Sequence, residues 1–320
     1  MSKQPAPNEP VPHPTVMHLY RPNNPGRGVV TKNEVCTASR KAAGFVRHIE
    51  IDVSGTELEG QCIPGQSIGV IAPGEDAKGK PHKVRLYSLA SPSAGEDGEG
   101  KIVSTTVKRT IDEHWDDHSL FLGVCSNFLC DAQPGDELIL TGPAGKRFVL
   151  PEDPSKHDYL FVATGTGIAP FRGMLLELLA KDPAARVTLI MGAPYASDLI
   201  YHDQFVELES KHENFSYLTA ISRAKQEDGL DRMYVHGRLS SNADQLVPLL
   251  DSERTLVYVC GIAGMEIGIL QEMARVLPPN ALEQYLRVDP EVAGSIDDWN
   301  RKMLHKQISP TRRVLLEVYA

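Results

Sequence analysis

Beyond residue 150 the apolar positions fall into two alternating periods. Phe171, Met174, Leu175, Leu178 and Leu179 recur at i, i+3, i+4, i+7 and i+8, the apolar stripe of an amphipathic helix. Pro170 suits the first turn of that helix, where its missing N–H costs nothing. The run Tyr159–Ala163 just before it is short and wholly apolar, which predicts a buried strand. The alternation continues with a strand at Val187–Met191, a helix at Asp203–Lys211, a strand at Phe215–Ile221 and a helix near 241–250. A strand at Leu256–Cys260, a helix at Met265–Val276 and a strand-like run at Val314–Tyr319 complete it. Strands that alternate with helices predict an α/β fold around a doubly wound parallel sheet.

Between about 25 and 150 the period is shorter. Runs rich in β-formers at Phe45–Val53, Gln66–Ile71, Val84–Leu89, Lys101–Lys108 and Glu137–Thr141 are separated by Pro64-Gly65, Pro73-Gly74, Gly95–Gly100 and Pro134-Gly135. Many short strands with turn signals between them predict an antiparallel β-barrel or sandwich. The first 24 residues are polar, with prolines at 5, 7, 10, 12 and 14, and read as a flexible leader. The expected organisation is a leader over 1–24, a β-barrel domain over 25–153 and an α/β domain over 154–320. Domains of different class in one chain place a site at their seam.

Composition narrows the function. The 320 residues carry 33 Lys+Arg against 42 Asp+Glu, a net charge of −9 that disfavours non-specific nucleic-acid binding. No apolar run approaches the ~18 residues of a membrane span, and the N-terminus has no signal-peptide pattern, so a cytoplasmic location is expected. Five cysteines are too few and too scattered for a disulfide framework. Cys125 and Cys130 have the C-x4-C spacing of a plant-type iron–sulfur site, but Gln133 stands where a third ligand is needed. The histidines lack ligand spacing, and no metal is expected.

Four segments carry chemistry. Thr164-Gly165-Thr166-Gly167-Ile168-Ala169-Pro170 lies between a predicted strand and a predicted helix. Glycines there let backbone N–H groups approach a pyrophosphate, and the helix N-terminus adds partial positive charge. Pro170 replaces the third glycine of the usual dinucleotide fingerprint, and a plain structural turn is the competing reading. After strand Phe215–Ile221 come Ser222, Arg223, Lys225, Arg232 and Tyr234. Arginines at that place suit the extra phosphate of NADP, with a Tyr face for adenine. A solvated loop that includes Glu227 and Asp228 is the alternative. Arg85-Leu86-Tyr87-Ser88 offers a phosphate partner, a flat ring and a hydroxyl, although an ordinary edge strand reads the same way. Gly123-Val124-Cys125-Ser126-Asn127 offers small donors for a second phosphate, or else the turn that caps a short helix.

Taken in order, these segments resemble the plant-type ferredoxin–NADP⁺ reductase family. KPHKVRLYSLAS (80–91) is similar to its flavin-binding strand, and GVCSNFLC (123–130) with Thr141-Gly142-Pro143 to its flavin-phosphate segment. TGTGIAPFR (164–172), VYVCGIAGME (257–266) and the closing Glu317-Val318-Tyr319 follow in the family's order, over about residues 20–320. The resemblance implies an FAD-binding barrel followed by an NADP-binding α/β domain, with flavin linking nicotinamide to a one-electron carrier, ferredoxin or flavodoxin. It implies that Arg85, Tyr87, Ser88 and the Gly123, Val124, Cys125, Ser126 segment hold FAD, with Ser88 near the flavin N5. Thr164, Gly165, Thr166, Gly167, Ala169 and Pro170 would cradle the NADP pyrophosphate, with Lys108 as a helper. Ser222, Arg223, Arg232 and Tyr234 would read the 2′-phosphate. Cys260, Gly261 and Glu317 would line the place where nicotinamide meets flavin, and Tyr319 would stack on the flavin until displaced. Lys80, Lys83, Arg27 and Lys32 would face an acidic carrier, against the alternative of a plain solvated surface. Two departures stand out. Ala320 follows the stacking Tyr, and the stretch after Lys108 lacks the usual aromatic for the FAD adenine, with Trp115 the candidate substitute. The competing functions are a dedicated electron-transfer subunit of an oxygenase or reductase, and a nucleotide-binding regulator without redox chemistry.

Overall fold

The structure, a computed structural model, describes residues 9–42, 45–181 and 184–319. Its first half is built on six antiparallel strands: β1 (Gly26–Val35), β2 (Val46–Asp52), β3 (Ser67–Ile71), β4 (Arg85–Ser88), β5 (Ile102–Lys108) and, further along the chain, a strand over Glu137–Ala144. Before that last strand come the hairpin β6 (Ile111–Glu113) and β7 (Leu120–Leu122) and the helix α1 (Val124–Asp131), so Glu137–Ala144 is β8. The spatial order is β4-β3-β8-β1-β2-β5. A bridge between Leu89 and Thr105 joins the two edges, so the sheet closes into a barrel. Ala90 N donates to Ser104 O at 2.8 Å and Thr105 Oγ1 to Ser88 O at 2.8 Å across the same seam. Closure matters physically because an open edge would leave a row of unpaired backbone groups.

Alternate residues point inward, and Val30, Ile49, Ile51, Ile68, Val70, Val103, Val107, Leu138 and Leu140 fill the barrel. Helix α1 covers one end with Leu129, and Cys125 and Cys130 are packed into the same core. Strand β1 lies outside the predicted runs. Its burial alternates over Gly26–Val30, but Lys32, Asn33 and Glu34 occupy its second half, where the outward face dilutes the apolar signal. The flexible leader needs correction for residues 9–24. His13 N donates to Leu150 O, Tyr20 pairs with Gly142, Gln66 Nε2 donates to Val16 O, and Glu9 meets Arg312, so this stretch lies along the protein body. Extended proline-rich backbone has unspent N–H and C=O groups, and here they find partners. Residues 1–8 of the leader lie outside the described residues.

The second half is a parallel sheet. Its strands are β9 (Asp158–Thr164), β10 (Val187–Ala193), β11 (Phe215–Ile221), β12 (Thr255–Ile262) and the last strand of the chain, Val314–Tyr319. The helices are α2 (Ile168–Lys181), α3 (His202–Lys211), α4 (Gly237–Ser241), α5 (Ala243–Asp251) and α6 (Met265–Val276). The short elements α7 (Pro279–Leu282), β13 (Leu286–Val288), α8 (Pro290–Ala293) and β14 (Ile308–Pro310) precede the last strand, which is β15. The sheet order is β11-β10-β9-β12-β15, all parallel. One face packs Phe161 and Tyr258 against Phe171, Met174 and Leu175 of α2; the other packs Val162, Val257 and Val259 against Leu270 and Met273 of α6. The order reverses between β9 and β12. In a doubly wound sheet the crevice at the carboxyl ends of such strands is where ligands bind. No helix among the described residues is long and apolar enough to cross a membrane.

Candidate active site at the domain seam

Three segments meet at that crevice. The first is the turn after β9. Gly165 has φ +54°, and a Cβ on Gly167 would lie 2.3 Å from the Cys260 carbonyl oxygen, so only glycine lets the turn close on β12. The second is the turn after β12. Gly261 has φ +148°, and a Cβ there would lie 2.1 Å from Thr164 Oγ1. That hydroxyl accepts the Ile262 N–H at 3.0 Å and so joins the two turns. The third is the end of β15, paired with β12 in the register Cys260↔Glu317 and Ile262↔Tyr319. The Tyr319 hydroxyl and Thr166 Oγ1 are 2.9 Å apart, which lays the terminal aromatic against the first turn. Thr164, Gly165, Thr166, Gly167, Cys260, Gly261, Glu317 and Tyr319, from three parts of the sequence, therefore share one crevice. Ala169 and Pro170 sit in the first turn of α2 beside it.

The β12 turn has a support that its motif did not reveal. Glu266 is buried; its carboxylate accepts the Gly264 N–H at 2.7 Å and forms an ion pair with Arg301, whose Nε lies 2.8 Å away. Gly264 has φ +103°, a conformation that the carboxylate holds in place. The Glu266 partner comes from the loop before β14, so sequence spacing gives no hint of it.

The electrostatics single out Glu317. Burial pushes its carboxyl up from 4.5 to about 7, and among the described residues no cation or hydrogen-bond donor compensates it. The Cys260 thiol is pushed up by burial and then by the Glu317 charge, so it stays protonated. Cys260 is only 1% exposed, enclosed behind the turn and the terminal strand. Because the Glu317 carboxyl binds its proton more tightly folded than unfolded, its contribution to stability is full below pH 4.5 and lost as pH rises through about 7. Glu317→Gln should therefore be nearer to wild type in stability at the acid end of that window and relatively more stable above it. Urea-unfolding midpoints for both proteins across the window check this; a difference that does not vary with pH would contradict it.

The cluster expected to read a phosphate takes shape at the end of β11. Ser222 N donates to Ala193 O and Arg223 N to Pro194 O, which carries the chain over the carboxyl end of β10. Buried Gln226 then organises the loop: its Oε1 accepts the Ile221 N–H at 2.8 Å, and its Nε2 donates to Ile221 O at 2.8 Å and to Asp231 O at 3.2 Å. Arg223 and Arg232 stay exposed, and neither forms an ion pair among the described residues. Tyr234, 69% exposed, lies beside His236 with rings tilted 30°. Asp228, the acid that could have neutralised the cluster, is taken by Arg238 at 2.6 Å. Gln226 and Arg238 build this site, and nothing local in the sequence marks them.

The barrel half meets the turn after β9 through β5. Arg85 at the start of β4 is exposed and makes no ion pair among the described residues. Tyr87 is half-buried, its phenol pushed up by burial and by the Cys125 thiol beside it. Helix α1 starts at Val124 without a side-chain N-cap, and Asn127 Nδ2 and Ser126 Oγ both donate to Gly123 O. A Cβ on Gly123 would meet Ser126 Oγ at 2.7 Å and Thr110 Cβ at 2.8 Å. A free arginine, a half-buried ring and an uncapped helix start fit a ligand with a flat ring and phosphates. Ser88 ends β4, two residues from a contact with α2, and Lys108 ends β5, which packs near the Gly165–Gly167 turn. The hairpin β6–β7 carries Trp115, 96% exposed, with Leu120, Phe121 and Leu122 also exposed. Of the four basic residues expected to face a carrier, Arg27 is paired with Glu137 and Lys32 with Glu34 and Glu50, while Lys80 and Lys83 form no ion pair among the described residues. Ala320 lies outside the described residues.

Comparison with known proteins agrees with this geometry. A family model described as the oxidoreductase NAD-binding domain matches residues 161–271. The ferredoxin–NADP reductase of Thermosynechococcus vestitus is 39% identical over 273 residues, covering 83% of this chain and 70% of the relative. The chloroplastic leaf isozyme 1 of Arabidopsis thaliana is 38% identical over 291 residues, 89% of this chain and 79% of the relative. Among solved structures, the ferredoxin-NADP⁺ reductase of Plasmodium falciparum superposes with a TM-score of 0.69 at 21% identity, covering 94% of this chain and 98% of that one. That likeness extends to the fold of both halves.

Proposed function

The chain belongs to the ferredoxin–NADP reductase family, and from that premise we propose that it exchanges hydride between NADP(H) and the N5 of a bound FAD and passes electrons singly to ferredoxin or flavodoxin. It is an oxidoreductase that moves electrons between NADP(H) and ferredoxin. Family membership does not favour the alternative of a dedicated subunit with little turnover of its own. The observation that carries the finer reading is the meeting of the Thr164–Gly167 turn, the Cys260–Glu317 pair and Tyr319 at the carboxyl ends of the parallel sheet.

FAD, when bound, supplies the conversion between two-electron hydride and one-electron chemistry. Everything else falls to the protein. Arg85 and the start of α1 hold the FAD phosphates, Tyr87 packs on the ring system, and the Ser88 hydroxyl donates a hydrogen bond near N5. The turn after β9 and the first turn of α2 receive the NADP pyrophosphate, with Lys108 adding charge. Ser222, Arg223, Arg232 and Tyr234 select the 2′-phosphate. Trp115 covers the FAD adenine. Lys80 and Lys83, which form no ion pair among the described residues, offer the carrier a positive face, which makes association salt-sensitive. The five cysteines are free, which suits the reducing cytoplasm expected for this chain.

Tyr319 is the gate. Its ring lies against the turn after β9, tied there by the 2.9 Å contact between its hydroxyl and Thr166 Oγ1, and nicotinamide would have to displace it. Apparent coenzyme affinity falls by the fraction of molecules in the closed state. Tyr319→Ser should tighten NADP⁺ and NAD⁺ binding, relax discrimination against NADH and slow product release. Titration of both coenzymes against the flavin spectrum checks this, and affinities that stay the same or weaken would make Tyr319 a strand-end aromatic only. The functional reading itself is tested by steady NADPH oxidation by the isolated chain with ferricyanide or ferredoxin as acceptor; no turnover with either acceptor would sink it.

A further inference from the structure

The last residue of the 164–172 motif faces away from the nucleotide turn. Arg172 is 8% exposed, and its guanidinium crosses from α2 into the barrel half. Nη1 and Nη2 donate to the two oxygens of Glu96 at 2.6 and 3.1 Å, and Nη1 also donates to the Ala90 carbonyl at 2.9 Å. Nε donates to Gln204 at 2.8 Å, and the guanidinium lies 5.1 Å from the centre of the Tyr201 ring. The barrel side of this contact is itself fixed. Ser104 Oγ donates to Glu96 at 2.6 Å, and the Tyr201 hydroxyl is 2.6 Å from Thr106 Oγ1 and 2.8 Å from His48 Nδ1. The next residue, Gly173, brings the α2 backbone so close that a Cβ would lie 2.4 Å from the Ser91 carbonyl oxygen.

Ala90 is two residues beyond Ser88, and Arg172 is five beyond Gly167. One side chain thus joins the strand end that carries the flavin-side hydroxyl to the helix that starts at the nucleotide turn. We propose that Arg172 is a positioning residue that sets the distance between the two halves of the reaction site. This rests on the function proposed above. A buried ion pair is a poor source of stability, because an apolar pair of similar volume does as well. Its advantage is geometric: a bidentate guanidinium fixes direction as well as distance, and a lysine cannot reproduce the fork. Hydride transfer is sensitive to such placement, and a displacement of about 1 Å can cost on the order of 100-fold in rate.

Two variants test the tie. Arg172→Lys keeps the charge opposite Glu96 but loses the fork. Arg172→Met combined with Glu96→Gln removes both charges of the buried pair, so neither is left without its partner. In each, the single-turnover rate of flavin reduction by NADPH should fall by roughly 10- to 100-fold while FAD stays bound and NADPH affinity changes by less than about threefold. A readout without coenzyme accompanies it. Hydrogen exchange should speed up at Leu89 and Ala90 and in the first turn of α2, with Phe215–Ile221 unchanged. A wild-type rate in either folded variant, a loss that follows NADPH affinity or FAD content, or exchange that is unchanged or raised uniformly would overturn the proposal. If the wild-type protein is not reduced by NADPH, the function proposed above fails, and the exchange measurement still decides whether Arg172 ties the two halves.

Discussion

Replacing Arg223 and Arg232 together with alanine should cost NADPH about 100-fold in catalytic efficiency and leave NADH nearly unaffected. The two guanidiniums are exposed and unpaired among the described residues, while the neighbouring Asp228 is bound to Arg238. A hydrogen bond to a charged group contributes ~1.5–3 kcal/mol, and exposure places these at the lower end. Removing two such bonds together costs about 3 kcal/mol, or roughly two powers of ten. NADH lacks the 2′-phosphate and has nothing to lose. The loop should survive, because its frame is made by Gln226 and by the backbone of Ile221 and Asp231, not by the arginines. Steady-state kinetics with both coenzymes provide the check. An equal loss for NADH and NADPH would mean that the cluster is a solvated loop.

Ser88→Ala should slow flavin reduction on the order of 100-fold while FAD stays bound. Ser88 is half-buried at the end of β4, and its carbonyl is held by Thr105 Oγ1 at 2.8 Å. Among the described residues its hydroxyl makes no hydrogen bond, which leaves it free to donate to a ligand. The strand end is anchored through the Leu89–Thr105 bridge and Ala90, so losing one hydroxyl should not move the backbone. The effect should therefore appear in the hydride step, whose reacting atoms need to be ~3–3.5 Å apart, and not in FAD content or NADPH affinity. Single-turnover reduction at the wild-type rate would remove Ser88 from the mechanism.

What could be read from the sequence follows from how locally each feature is encoded. Strand β11, helix α6 and strand β15 fall where their periodicity places them, at Phe215–Ile221, Met265–Val276 and Val314–Tyr319, because each packs a regular apolar set on the sheet or its covering helices. Strand β8 continues to Ala144, beyond the Glu137–Thr141 run, because Ser67 of β3 still pairs with Ala144. The hairpin β6–β7 is exposed at every position, so it carries no alternation to detect. The glycines of the crevice could be found because its turns demand them: a Cβ on Gly167 would lie 2.3 Å from the Cys260 carbonyl oxygen, and one on Gly261 2.1 Å from Thr164 Oγ1. Their supports could not. Gln226, Glu266 and Arg172 act through partners brought near by the fold, and Arg172 and Glu96 lie 76 positions apart along the chain. The leader misled for a related reason: proline-rich composition describes the backbone's intrinsic conformation but not the carbonyls of Gly142 and Leu150 that it meets.

On the function proposed above, NADPH reduces a flavin held between the barrel and the parallel sheet. The most direct measurement is the visible spectrum of the purified holoprotein, mixed with NADPH without oxygen. Flavin bands should be present in the protein as purified and should be lost within one turnover with NADPH. The loss should be much slower with NADH, and the bands should return when oxidised ferredoxin is added. A colourless protein, or flavin bands that NADPH leaves unchanged, would contradict that function.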